Sequence, residues 1–240
     1  MIFLVLAGLI LIGSPIAIAL AMGGVVGIVM GLPAPMLGTL GTNTYNAIAK
    51  YPLVAIPLFV LTGTVFERTG VAANLVRFAR ALVGQRPGGL ATVATIVCLI
   101  MGGMSGSGPA DAAAVAMVMV PSMTRAGYPR AFSATVIAAS ASTAILIPPS
   151  VALILYSILV PGVDLRALFA AGVFPGLMAG LAVIIPAIWL ARRHGFESGE
   201  EVEGRPPLKE SFIGALPALF APVLILGGLR SGLFTPRRQR

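Results

Sequence analysis

Residues 102–114 read GGMSGSGPADAAA. The first ten of these positions hold four glycines, two serines, a proline and an aspartate, inside a long apolar region. A lipid-facing helix excludes most of these residues, because hydrocarbon offers no partner to a free backbone group or a charge. The stretch is therefore buried in protein or set beside water, and the rest of the chain decides between these.

The flanking sequence is that of a membrane protein. Of its 240 residues 58% are hydrophobic and 10% charged, and the mean hydropathy is +0.99. Soluble domains carry about 25% charged residues. The apolar runs are long and continuous, unlike the alternating ten-residue segments of a membrane barrel. The expected class is an all-α polytopic membrane protein. The net charge of +8 is not gathered into a nucleic-acid stripe. Arginines sit at the ends of apolar segments, the pattern of cytoplasmic loops, so no nucleic-acid partner is expected. The start, MIFLVLAGLI, has no basic region and reads as a membrane segment, not a cleavable leader. One cysteine, Cys98, excludes an internal disulfide and a cysteine metal site. The one histidine, His194, lies in ARRHG without partner ligands.

Along the chain, residues 2–30 are uncharged and long enough for one tilted span. A Gly/Pro-marked connection follows, with room for a short helix. A short apolar segment at 53–66 is closed by Glu67 and Arg68. In residues 71–84, Val71, Leu75, Phe78 and Leu82 recur at helical spacing, with Asn74, Arg77 and Arg80 on another face. This is an amphipathic helix lying at an interface or on a partner helix, or an ordinary loop helix. Two apolar arms then run over 90–104 and 112–123, each short for a span. Arg86 flanks one arm, and Arg125 and Arg130 the other. Two arrangements fit these flanks: a re-entrant hairpin over 87–124 with GGMSGSGPAD at its tip, or two short full spans. Residues 131–160 would make a helix of about 45 Å, longer than the hydrocarbon core. Pro148-Pro149 interrupts it, so a broken helix is expected, with one half ending near Ile147 and the other starting near Pro149-Ser150. Residues 161–190 return as a span, 191–211 form a hydrophilic cytoplasmic loop, and 212–240 begin a further span.

Irregular backbone at membrane depth is a transporter's device. Half-helix N-termini offer free N–H groups to anions, and unwound carbonyls coordinate cations. Glycines let the backbone approach a ligand. Ser105 and Ser107 add hard oxygen acceptors suited to Na⁺. Asp111 is the one acid inside an apolar stretch, and two roles stand for it: a helix cap at the start of the second arm, or ion coupling.

The run from GGMSGSGPADAAAVAMVMVPSM through GYPRAFSA to ILIPPS resembles the large membrane subunit of the tripartite ATP-independent periplasmic (TRAP) transporters. IPLFVLTGTVFERTG and LGGLRSGLFTP are similar to the same family, so the likeness reaches Pro236. It implies secondary uptake of small organic acids, such as C4-dicarboxylates, usually driven by Na⁺, in a bacterial inner membrane. H⁺ is the other coupling ion the residues leave open. The implied partners are a periplasmic solute-binding protein and a small membrane subunit, and no cofactor is implied beyond the coupling ion. The implied fold has two inverted repeats and moves like an elevator. Residues 1–86 are then scaffold-type helices with the amphipathic connection, and 87–160 the transport-type segment. The implied Na⁺ site uses Ser105 and Ser107, carbonyls near Gly106 and Ile147, and Thr143. The substrate carboxylate would meet Ser107, Gly108, Pro109, Pro149 and Ser150.

The family's large subunit is about twice as long, and RRQR replaces its usual continuation after Phe-Thr-Pro. The expectation is a truncated, frameshifted or split first repeat that does not transport alone; a genuine short form joined by a separate second half is the alternative. Three rivals differ in class. One is another inverted-repeat, ion-coupled anion transporter without a binding protein. Another is a channel or purely structural membrane subunit. The third is an intramembrane serine protease, since Gly103-Met104-Ser105-Gly106 fits its Gly-x-Ser-Gly pattern, but such an enzyme needs a histidine near the serine. The glycine run lacks the Gly-Lys-Ser/Thr of a phosphate loop, so no nucleotide site and no enzyme activity are expected.

Overall fold

The computed structural model describes residues 2–31, 38–49, 53, 57, 61, 63–65, 69–84, 86–160, 162–197 and 206–231. Among these, every regular element of four or more residues is a helix. They are α1 Ile2–Leu11, α2 Ile16–Gly31, α3 Thr39–Ile48, α4 Val71–Val83, α5 Gly89–Ser105, α6 Gly108–Arg125, α7 Arg130–Ala144, α8 Val151–Leu159, α9 Leu165–His194 and α10 Leu208–Ser231. Glu67, Arg68, most of the segment 53–66, the acidic stretch 198–205 and the C-terminal residues 232–240 lie outside the described residues. One described helix, Leu165–His194, is long and apolar enough to cross a membrane, and Ile2–Leu11, Ile16–Gly31 and Gly89–Ser105 are shorter apolar helices. The chain divides into two compact units, residues 1–51 and 52–240.

In the first unit, the apolar run 2–30 is not one span. It forms two helices, α1 and α2, paired antiparallel, with Ile2 lying against Gly23 and Gly27. The cause is Gly13-Ser14-Pro15. Gly13 takes φ +86°, Ser14 N–H returns to the Leu9 carbonyl at 3.0 Å, and the Pro15 carbonyl accepts the first amides of α2. Glycine ends a helix in the left-handed conformation, and proline suits the start of the next.

In the second unit, α5, α6 and α7 pack most extensively on one another, and α9 covers α5 and α7. Met101, Met104, Met119 and Met123 fill the α5–α6 seam with Val93, Val97 and Val115, all fully buried. Helices gain by such packing even in lipid, where apolar transfer drives nothing. The amphipathic helix α4 lies against α5 and α10. Its buried face is Val71, Ala72, Leu75, Val76 and Ala79; Phe78 tilts onto Phe212, while Leu82 is exposed. Val71, Leu75 and Phe78 of the expected stripe thus face the core, which widens to Ala72, Val76 and Ala79, and Leu82 alone falls outside it. Helix α9 runs 30 residues through Pro175 and Pro186. It presents Gly172, Gly176 and Gly180, four residues apart, to its neighbours.

Candidate functional site

The tip joining α5 to α6 is two residues long, Gly106-Ser107. Gly106 closes α5 at φ +63°, which glycine adopts without strain. Ser107 is extended and Pro109 falls in the first turn of α6, where a missing amide costs nothing. The arms therefore reach further toward each other than 90–104 and 112–123. Asp111, also in that first turn, is fully buried. Its carboxylate accepts from Ser105 Oγ, with oxygens at 2.7 and 2.8 Å, and Ser105 Oγ in turn accepts from Ser107 N–H at 3.0 Å. A hydroxyl has one proton and two lone pairs. The proton and one lone pair of Ser105 are taken, so one lone pair remains on an oxygen polarised by a carboxylate. Asp111 thus holds the tip through Ser105.

Helix α7 ends at Ala144, three residues before the expected Ile147. Leu146 and Ile147 make tight turns back to the Thr143 and Ala144 carbonyls, and the Pro148-Pro149 peptide is cis. Ser150 is extended and α8 begins at Val151. The loss occurs early because two prolines bar helix at Ile147 and Pro148 and leave the last turn without amides to bond. The first amides of α8 have no partner within their own helix.

The tip and this interruption touch through glycines. A methyl group at Gly102 would lie 2.5 Å from Ala144 Cβ and 2.8 Å from its carbonyl oxygen; one at Gly103 would lie 3.3 Å from the Pro148 oxygen. At Gly106 it would lie 2.9 Å from Val151 N, and at Gly108 2.9 Å from the Ala141 oxygen. The structure thus brings Gly106 and Gly108 to Ser150-Val151 and Ala141. Pro149 and Ser150 are buried, and Ser150 Oγ has no hydrogen-bond partner. Gly106 and Ser107 are half-buried and Pro109 is exposed, so the tip is open on one side. Ile147 is wedged between Gly103 and Gly176. Thr143 Oγ1 turns back to the Ser140 carbonyl at 2.8 Å.

Four residues were not recognised in the sequence. Gly63 meets Ser105: a methyl there would be 3.1 Å from Ser105 Cβ. Gly172 and Gly176 of α9 pack on Leu146 and Ile147, where a methyl at Gly172 would come within 2.6 Å of the Leu146 oxygen. Their four-residue repeat was the legible signal. Glu197 bonds the amides that open α5. The protease reading fails on geometry. The exposed His194 lies three residues before Glu197, beside the first turn of α5, and Ser105 ends that helix. The two ends are about 24 Å apart at roughly 1.5 Å per residue. Ser105 is held by a carboxylate instead.

A family model described as the tripartite ATP-independent periplasmic transporter, DctM component, matches residues 3–239. The 2,3-diketo-L-gulonate TRAP transporter large permease protein YiaN of Escherichia coli (strain K12) is 38% identical over 231 residues, covering 96% of this chain and 54% of that protein. The C4-dicarboxylate TRAP transporter large permease protein DctM of Vibrio cholerae is 35% identical, covering 98% of this chain and 52% of the relative. The sialic acid TRAP transporter large permease protein SiaM of the same organism is 36% identical over 80% of this chain and 44% of its own length. The chain spans about half the length of the curated relatives it matches. With a match running from residue 3 to residue 239, the chain belongs to the DctM component family of tripartite ATP-independent periplasmic transporters.

Proposed function

We propose that this chain supplies the first of two inverted repeats of an inner-membrane permease for cation-coupled uptake of small organic acids. The α5–α6 pair is its re-entrant hairpin, and α7 and α8 are the halves of its broken helix, carried together in an elevator motion. The observation that carries this reading is Ser150 Oγ, buried and without a partner where the glycine tip meets the start of α8. A buried hydroxyl left unpaired is unfavourable by about 1–3 kcal/mol, a penalty that a bound ion or carboxylate removes. Na⁺ suits the spare lone pair of Ser105, the Ser107 hydroxyl and carbonyls at Gly106 and Ile147. Thr143 joins this set only if its hydroxyl leaves the Ser140 carbonyl. The substrate carboxylate meets Ser107, Gly108, Pro109, Pro149 and Ser150, beside the partial positive charge at the start of α8. Asp111 acts by positioning Ser105. The second repeat, a small membrane subunit and a periplasmic binding protein complete the transporter, and the chain alone does not transport.

The test is a thermal titration of the purified chain in NaCl against KCl and choline chloride at equal ionic strength. Na⁺ raises the unfolding midpoint, K⁺ and choline do not, and Ser105→Ala and Ser107→Ala each weaken the Na⁺ response. An equal response to Na⁺ and K⁺ would sink the Na⁺ assignment. Uptake of a labelled C4-dicarboxylate into proteoliposomes under a Na⁺ gradient, with and without a second-repeat polypeptide, tests the division of labour.

A further inference from the structure

At the end of the hairpin remote from the tip, one carboxylate gathers three chain segments. Glu197 Oε2 accepts from Gly89 N–H at 2.8 Å and from Tyr128 Oη at 3.0 Å, while Oε1 accepts from Leu90 N–H at 2.8 Å. The Glu197 amide donates to the Ala126 carbonyl at 3.0 Å. Gly89 and Leu90 open α5, Ala126 and Tyr128 follow α6, and Glu197 follows α9. The two roots of the hairpin are therefore tied to each other and to the end of α9 by one residue.

Glu197 has φ +63°, a left-handed conformation that disfavours a side chain. Such strain persists only where the surroundings hold it. Here four hydrogen bonds do so, two of them charge-assisted bonds to amides at a helix N-terminus, where negative charge is favoured; Gly89 N–H shares its proton with the Arg86 carbonyl at 2.7 Å. Buried Tyr128 stacks on Phe132 and tilts against Phe196, which itself tilts onto Phe132 and stacks with His194. Gly88 is also left-handed and lies so close to Ile188 of α9 that a methyl group would approach Ile188 Cα to 2.8 Å. The first turn of α5 is thus pressed onto α9 just where the carboxylate caps it.

We infer that Glu197 is a positioning residue: a clamp that fixes the axial seating of the hairpin and, through the unbroken α5, the place of the tip. Helix α5 runs without interruption from the clamped Gly89 to Ser105, so a shift at its root is carried along its axis. The clamp belongs to this chain's own fold and stands apart from the identity of any transported ion.

The experiment is amide hydrogen exchange on the full chain in nanodiscs, comparing wild type, Glu197→Ala, Glu197→Gln, Tyr128→Phe and Glu210→Ala as a surface control. Glu197→Ala speeds exchange about tenfold to a hundredfold in peptides over 86–92 and 124–130, and also within 106–108, leaving α4 and α10 as they were. Glu197→Gln keeps one carbonyl acceptor and gives a smaller rise at the same places. Tyr128→Phe, the mildest change, loosens 124–130 and keeps the test readable if Glu197→Ala fails to fold. Unchanged exchange at 86–92 overturns the clamp. A root that loosens without the tip reduces Glu197 to a local cap and overturns the positioning role. A uniform rise over all helices also overturns it, since it marks general destabilisation.

Discussion

Three glycine-to-alanine substitutions separate the contact between tip and interruption from backbone strain. Gly127 has φ +86° and open space around it, so Gly127→Ala reports the left-handed backbone alone. That term is about 1–2 kcal/mol. Gly102 is helical, and its added methyl would meet Ala144 Cβ at 2.5 Å and its oxygen at 2.8 Å. Overpacking of this kind costs about 1–3 kcal/mol, offset by about 1 kcal/mol of helix propensity gained, for a net loss of about 0–2 kcal/mol. Gly106 combines both effects, with φ +63° and Val151 N at 2.9 Å, and should lose about 2–5 kcal/mol. In chains of this size each kcal/mol moves the unfolding midpoint by about 2–4 °C. Thermal scans in detergent should therefore rank Gly106→Ala as the most damaging, by roughly 2–12 °C over Gly127→Ala. Equal shifts for Gly106→Ala and Gly127→Ala would refute the reasoning, because the backbone term would then account for the whole effect.

Two further substitutions probe the polar groups. Asp111→Ala leaves Ser105 Oγ without its acceptor and should destabilise by about 1–3 kcal/mol, whereas Asp111→Asn keeps a carbonyl for Ser105 and should lose less; identical midpoints for the two would show that the hydroxyl bond contributes nothing. Burial, and then the neighbouring charge and hydrogen bond of Glu197, push the Tyr128 phenol above its ordinary pKa of 10.0. The unfolded chain ionises first, so this stabilisation is complete below pH about 10 and declines as pH rises beyond it. Denaturation midpoints between pH 8 and 11, an interval bracketing the ordinary phenol value of about 10, should fall less steeply in Tyr128→Phe than in wild type, and parallel curves would contradict the assignment.

The legible parts of the fold were those punctuated by glycine and proline. Gly106, Gly108 and Pro109 mark a tip, and Pro148-Pro149 an interruption, because each residue restricts the backbone locally. That the two segments touch was expected from the family likeness, but which glycines touch which carbonyls is a long-range fact with no local signature. The run 2–30 misled because composition hides a turn that only Gly13-Ser14-Pro15 betrays. The core face of α4 is legible through Val71, Leu75 and Phe78, but alanines at 72 and 79 weigh little on a hydrophobic scale although they are buried, and Leu82 shares the spacing yet is exposed. Glu197 sat among charged residues that read as solvated, and only the fold shows that it caps a helix more than a hundred residues earlier.

The bond between Ser105 and Asp111 spans six residues and closes a small ring around Gly106 and Ser107. Fixing a residue's backbone opposes folding by about 1–2 kcal/mol, and a loop left loose in the empty state must lose that freedom when a ligand arrives. Here the ring is drawn tight by the chain itself. The ordering of the tip is charged to folding, not to binding, so a ligand meeting these backbone groups spends little of its interaction energy on arranging them.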